Sequence, residues 1–194
     1  MFMQHLARLP YQLAVIQFNM FDSHDIPRLH NNPNISFESY RAAVIMLFTY
    51  PGTPSIYYGD EIGLEGNINS MEGCRYPMQW DKRKHKREFL KLYSTLAHLK
   101  QIEEALQTGG FKILYARDYI ISYARFTENK AFIVVCSQND AAAIVYIPVR
   151  LVGVQGFSCI TEIFGRRSFR TMKDGTLEVQ LQSKESLLIE ATLM

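Results

Sequence analysis

From Leu13 to Phe21 the chain is apolar at every position except Gln17 and Asn19, a run that predicts a strand buried on both faces rather than an alternating, half-exposed one. The run stops at Ser23, His24 and Asp25. From about Ser36, "FESYRAAVIMLFTY" predicts a helix, and Pro51-Gly52 ends it. "PSIYYG" then reads as a second short buried strand, closed by Gly59 and the acidic pair Asp60 and Glu61. Strand, helix and strand in that order predict a parallel βαβ unit whose strands both end in ionisable residues. Residues 62–80 are irregular, rich in Gly, Asn and Ser, and too long for an ordinary connection, so a binding loop is expected there.

A long amphipathic helix is predicted from about Asp81, with Phe89, Leu92, Tyr93, Leu96 and Leu99 at three- and four-residue spacing and Gly109-Gly110 at its end. Beyond it the chain is almost wholly strand-like: "FKILYA", "YIISYARF", "AFIVVCS", "AAIVYIP", "TLEVQLQ" and "SLLIEA". Glu128-Asn129-Lys130 and Asp174-Gly175 are expected to be hairpin turns. The shift from mixed to strand-only pattern predicts two domains, residues 1–106 and 107–194, the second an antiparallel β-sandwich of seven or eight strands.

Composition narrows the class. With 194 residues, 47% hydrophobic and 21% charged, the chain has the material for a packed core and matches neither a disordered tail nor a membrane protein. A net charge of +2 argues against nucleic acid or an anionic membrane as partner. No apolar stretch reaches the roughly 18 residues of a spanning helix. The N-terminal segment lacks the pattern of a signal peptide, so a cytoplasmic location is expected. The cysteines Cys74, Cys136 and Cys159 are odd in number and far apart, which fits neither a disulfide framework nor zinc-ligand spacing; they are expected to be reduced, and no metal site is expected.

"KRKHKRE", Lys82 to Glu88, reads as a solvated helix start with Asp81 as N-cap, because no aromatic residues are interleaved for base stacking. Tyr115, Tyr119, Tyr123, Phe126 and Phe132 lie at strand spacing and are expected in the core and in cross-strand pairs rather than as a sugar platform.

The candidate chemistry is "SHD". An Asp at the end of a buried strand is held in a partly dry place, where its charge counts for more than in water. His24 can donate hydrogen bonds to a hydroxylated ligand, while Asp25 serves as acceptor or anionic stabiliser. A protease triad is excluded, since no serine nucleophile sits on a strand-to-helix elbow.

These residues resemble a family. "FNMFDSHDIPR" is similar to the fourth signature segment of the alpha-amylase family of glycoside hydrolases, and "GTPSIYYGDEIGL" to the segment at its eighth barrel strand. "GCRYPMQWD" resembles the stretch that follows in the cyclomaltodextrinase, neopullulanase and maltogenic amylase branch, and also in oligo-1,6-glucosidases. The resemblance implies a partial TIM (β/α)8 barrel, its last two strands and helices, followed by the sandwich. It implies that Asp25 is the catalytic carboxylate that stabilises an oxocarbenium-like transition state, that His24 binds the same sugar and that Arg75 contacts substrate. Tyr57, Tyr58, Asp60 and Glu61 match a segment that builds the barrel rim.

The implied parent is a retaining hydrolase of α-1,4 or α-1,6 glucosidic bonds in cyclodextrins, pullulan or maltooligosaccharides, with no cofactor. Its nucleophile and acid/base belong to barrel segments this chain does not contain, so the chain alone is expected to be an inactive fragment. Open barrel-strand edges are expected to drive self-association. The alternatives are an oligo-1,6-glucosidase-like fragment and a non-catalytic carbohydrate-binding or assembly module.

Overall fold

Two short helices, α1 (Phe2–Leu6) and α2 (Tyr11–Ala14), precede the apolar run, and Pro10 stands just before the second. The long buried strand expected over Leu13 to Phe21 does not form. Only Phe18–Asn19 pair, as β1, in parallel with β2 (Thr53–Pro54). Leu13, Ile16, Phe18 and Met20 are between 49% and 70% exposed. A parallel strand is buried only where neighbours lie on both edges and elements cover both faces. Here β1 has one strand partner among the described residues, and an open groove of about 330 Å³ runs along Phe18, Met20, Phe21, Ala43, Met46 and Tyr50.

"PSIYYG" is likewise shorter as a strand than its pattern suggests. The amides of Thr53 and Ser55 donate to the carbonyls of Gln17 and Asn19 at 2.6 and 2.7 Å. Pairing then stops, because past Asn19 the first segment turns into a tight loop where Ser23 bridges Ile26.

Helix α3 (Phe37–Thr49) starts where expected, with the Ser36 hydroxyl accepting the Ser39 amide at 3.2 Å. It ends at Tyr50, before Pro51-Gly52. Gly52 has a φ of 123°, and a Cβ there would lie 2.8 Å from the Gln17 carbonyl oxygen and 2.5 Å from the Asn19 amide nitrogen. Gly52→Ala should therefore cost more than about 1 kcal/mol, since it combines a left-handed backbone with a backbone clash; the shift of the urea midpoint measures it.

Helix α4 (Arg87–Ile102) begins later than the Asp81 start expected. Asp81 instead caps a 3-10 turn, Lys82–Lys84, accepting the Arg83 amide at 3.1 Å. Three cations in the first turn of a helix would face the positive end of its dipole, whereas the actual first turn carries Glu88. The predicted stripe packs as expected: Phe89, Leu92, Tyr93 and Leu96 are buried, with Leu99 half-buried. Phe89 meets Phe37 and Tyr40 of α3 with ring centroids 5.1 Å apart, and the Tyr40 and Tyr93 hydroxyls lie 2.7 Å apart.

This computed structural model describes residues 2–66, 69–70 and 72–193, so Asn67, Ile68 and Met71 of the expected binding loop lie outside the described residues. The chain divides into two compact units, Met1–Ile102 and Glu103–Met194. No helix among the described residues is long and apolar enough to cross a membrane.

The second unit opens with α5 (Glu104–Gln107) and continues in eight strands: β3 (Gly110–Arg117), β4 (Ile120–Phe126), β5 (Lys130–Ser137), β6 (Ala143–Ile147), β7 (Cys159–Glu162), β8 (Ser168–Arg170), β9 (Leu177–Leu181) and β10 (Ser186–Thr192). Six of them form an antiparallel sheet in the order β3-β4-β5-β10-β7-β8, and β6 pairs with β9. Ile133, Val135, Leu187 and Ile189 from the large sheet share one core with Val145, Ile147, Leu177 and Val179 from the small one. All six strands read from sequence are present. Strands β7 and β8 gave no signal because they are short and lack a continuous apolar run.

Glu128-Asn129 turns the β4–β5 hairpin, closed by the Thr127 amide on the Lys130 carbonyl at 2.9 Å. Asp174-Gly175 does turn the chain, but it is not a hairpin: β8 and β9 belong to different sheets, and the turn carries the chain between them. The tightest hairpin, β3–β4, uses Asp118 and Tyr119, both at positive φ, without a glycine to announce it. Tyr123 and Phe132 are in the core as expected, whereas Tyr119 is 84% exposed at that turn. Arg125, fully buried on β4, donates to the Gly109 carbonyl at 3.0 Å and so satisfies the backbone leaving α5.

Candidate functional site

After β1 the chain dips through buried Asp22 and surfaces at His24 and Asp25. The loop between is tight: Ser23 bridges Ile26, and its Oγ accepts the Asp25 amide at 3.2 Å. Both side chains at its tip are 62% exposed. The loop thus raises a carboxylate and an imidazole into solvent at the end of a strand.

Arg75 comes from a 3-10 turn, Glu72–Arg75, fifty positions along the chain. Its Nη2 donates to Asp25 Oδ1 at 3.1 Å, and His24 Nε2 faces Asp25 Oδ2 at 3.2 Å. The structure therefore brings His24, Asp25 and Arg75 together. The means are the two tyrosines that follow β2: the Tyr57 hydroxyl donates to the Cys74 carbonyl at 2.8 Å, and that of Tyr58 to the Tyr76 carbonyl at 2.7 Å. The segment bearing Arg75 is pegged on either side.

Chemically this is an anionic acceptor with a donor on each flank. Exposed ion pairs contribute only about 0–1 kcal/mol, so hydroxyls of a ligand can compete for Asp25, Arg75 and His24 without a large loss.

Below the loop lies a second group of charges, of which the sequence reading named only Asp60, as part of the barrel rim. Arg28, 2% exposed, donates through Nη1 to Asp60 Oδ1 at 2.5 Å, and its guanidinium lies 4.5 and 5.1 Å from the ring centroids of Tyr57 and Tyr58. Asp22 accepts the Leu29 amide on Oδ1 at 2.9 Å. Both ends of the His24–Asp25 loop are thereby fixed from inside. Burial pushes the Asp60 carboxyl up to about 8, with the facing Asp22 adding to the shift and Arg28 opposing it. Burial raises Asp22 as well, and it lowers His30 to about 4. One ligand-type atom each from Asp22, His30 and Asp60 lies within 4.8 Å of the others. Besides Asp60, the sequence carried a further signal of this group, an aspartate directly after the apolar run, at Asp22.

Comparison with known proteins adds an independent line. A family model described as alpha amylase, catalytic domain, matches residues 2–109. A cyclomaltodextrinase from Bacillus sp is 39% identical over 140 residues, which cover 71% of this chain and 25% of that protein. Neopullulanase 2 from Thermoactinomyces vulgaris is 28% identical over 185 residues, 93% of this chain and 30% of its own length. A solved structure of a cyclomaltodextrinase superposes with a TM-score of 0.82 at 31% identity, covering 96% of this chain and 31% of that one. The chain spans about a quarter of the length of such relatives.

Proposed function

The chain belongs to the alpha-amylase family, and on that premise we propose that it is the C-terminal part of a retaining glycoside hydrolase acting on α-1,4 or α-1,6 glucosidic bonds of cyclodextrins, pullulan or maltooligosaccharides. Residues 1–106 are part of a (β/α)8 barrel, and residues 107–194 form an antiparallel β-sandwich. Asp25 stabilises the positive charge that develops at the sugar carbon in the transition state. His24 and Arg75 donate to sugar hydroxyls and hold the ring against it.

One observation carries this reading: Arg75 reaches Asp25 across fifty positions of chain, at 3.1 Å, with both groups open to solvent. Such an exposed pair adds little to stability, and an exchangeable bond suits a ligand that comes and goes.

Hydrolysis with retention needs a nucleophile and an acid/base roughly 5 Å apart, and these belong to barrel segments outside this chain. The chain alone is therefore inactive, and its bare β1 edge and groove drive association with copies of itself or with the rest of a barrel. The name of one relative, an intracellular maltogenic amylase from Bacillus subtilis, supports a cytoplasmic setting.

The test is complementation. The purified chain should show no turnover of maltodextrin, pullulan or cyclodextrin, and light scattering at high concentration should show dimers or larger species. Co-expression with the matching N-terminal portion of the Bacillus cyclomaltodextrinase should yield a mixed complex that hydrolyses cyclodextrin. Steady turnover by the chain alone, or a well-formed mixed complex without activity, contradicts the proposal. A monodisperse monomer contradicts the self-association.

A further inference from the structure

The buried group beneath the loop contains an electrostatic contradiction. His30 Nε2 lies 2.9 Å from the Leu64 carbonyl oxygen, which can only accept, so Nε2 carries the ring proton and Nδ1 presents a bare lone pair. That Nδ1 is buried and meets no donor. Asp22, 5% exposed, has its Oδ2 buried without a donor too. Acceptor atoms gathered in a dry place repel one another unless a cation stands among them. Arg28 is the cation of the group, and its Nη1 donates to Asp60 Oδ1. Arg28 Nε and Nη2 are themselves buried without acceptors, so its remaining donors do not reach the Asp22 and His30 lone pairs. On the solvent side of His30, Lys86 is held by Glu65 at 3.1 Å.

We propose that Asp22, His30 and Asp60 form a binding site for a single divalent transition-metal ion of the zinc type. The donor set, one imidazole nitrogen and two carboxylate oxygens, is one that zinc accepts with a fourth position left to water. His30 already has the support that metal-bound imidazoles show, its other nitrogen donating to a backbone carbonyl, which fixes the ring and its tautomer. Ligands on one zinc at about 2.0–2.2 Å lie roughly 3.3 Å from each other. The three atoms here fall within 4.8 Å, so the site closes by small side-chain rotations when the ion enters. Such an ion would tie the end of the first strand segment (Asp22) to that of the second (Asp60) beneath the loop that carries Asp25.

The experiment uses the whole chain, stripped with chelator and offered zinc or cobalt(II) chloride. Expected are one equivalent of zinc retained through gel filtration, a higher midpoint of thermal unfolding, and visible absorption from the cobalt form with the intensity of four-coordinate cobalt. His30→Gln and Asp22→Asn should each lower zinc affinity at least about tenfold, whereas His5→Ala and His98→Ala, both on exposed side chains, should not. Should Asp22→Asn fail to fold, His30→Gln and the wild-type cobalt spectrum decide. Retention of less than a tenth of an equivalent overturns the proposal, as does uptake undiminished in His30→Gln. Either result leaves a shared proton holding the two carboxyls together. None of these readouts depends on glucan hydrolysis, so the site and the proposed function stand or fall separately.

Discussion

Arg28→Met should destabilise the first unit by about 3–5 kcal/mol, the cost of stranding a buried partner charge. Methionine keeps most of the stem volume but removes every donor from between Asp60 and the Tyr57 and Tyr58 rings. Above about pH 8, where Asp60 ionises, Asp22 and Asp60 would then face each other without a counter-charge in a region where both side chains are at most 5% exposed. Chemical denaturation followed through the far-ultraviolet signal measures the loss. A double variant, Arg28→Met with Asp60→Leu, should recover a large part of it, because replacing both members of a buried pair by apolar groups is often close to neutral. A loss below about 1 kcal/mol for Arg28→Met would place the pair with ordinary surface ion pairs and contradict its assignment as the anchor of the loop.

Asp25→Asn, made in the complemented hydrolase, should reduce kcat by about 10²–10³-fold, the effect of removing one preorganised electrostatic stabiliser of a transition state. The fold should scarcely notice. Asp25 is 62% exposed, and its partners are exposed as well, so stability should stay within about 0.5 kcal/mol of wild type. Arg75→Ala and His24→Ala should act mainly on KM, since they hold hydroxyls in ground and transition states alike. An Asp25→Asn variant that keeps more than a tenth of the wild-type kcat would remove Asp25 from the chemistry. The two charged pairs are thus separable by experiment: Arg28–Asp60 is read in stability, Asp25–Arg75 in turnover.

Elements whose cause is local were legible in the sequence. Helix α3 follows from the Ser36 cap, the helix-forming run and Pro51-Gly52, and the stripe of α4 from its spacing. The strand-like runs of β3 to β6, β9 and β10 were equally plain. Features whose cause is non-local were not. The apolar run around Phe18 suits a strand with neighbours on both sides, and composition alone does not say whether those neighbours are present. His24 and Asp25 could be found from their place at the end of that run, and Arg75 from the resemblance of its loop. That Tyr57 and Tyr58 peg this loop through backbone carbonyls leaves no mark on sequence spacing. Asp60 was named as a strand end, but its grouping with Asp22, Arg28 and His30 was hidden for a related reason, since burial is what makes those charges matter and burial is decided by the fold.

The strand order of the second unit has a consequence for how it is made. Strand β10 lies in the interior of the large sheet, between β5 and β7, although some fifty residues separate its partner Cys136 from Ser186. Strands β3, β4 and β5 can zip together as successive hairpins as soon as they leave the ribosome. Until residues 186–192 emerge, β5 waits as a bare apolar edge, open to chaperones and to the β5 of a neighbouring nascent chain. Translation speed between residues 137 and 186 therefore sets how long each new molecule remains exposed to mispairing.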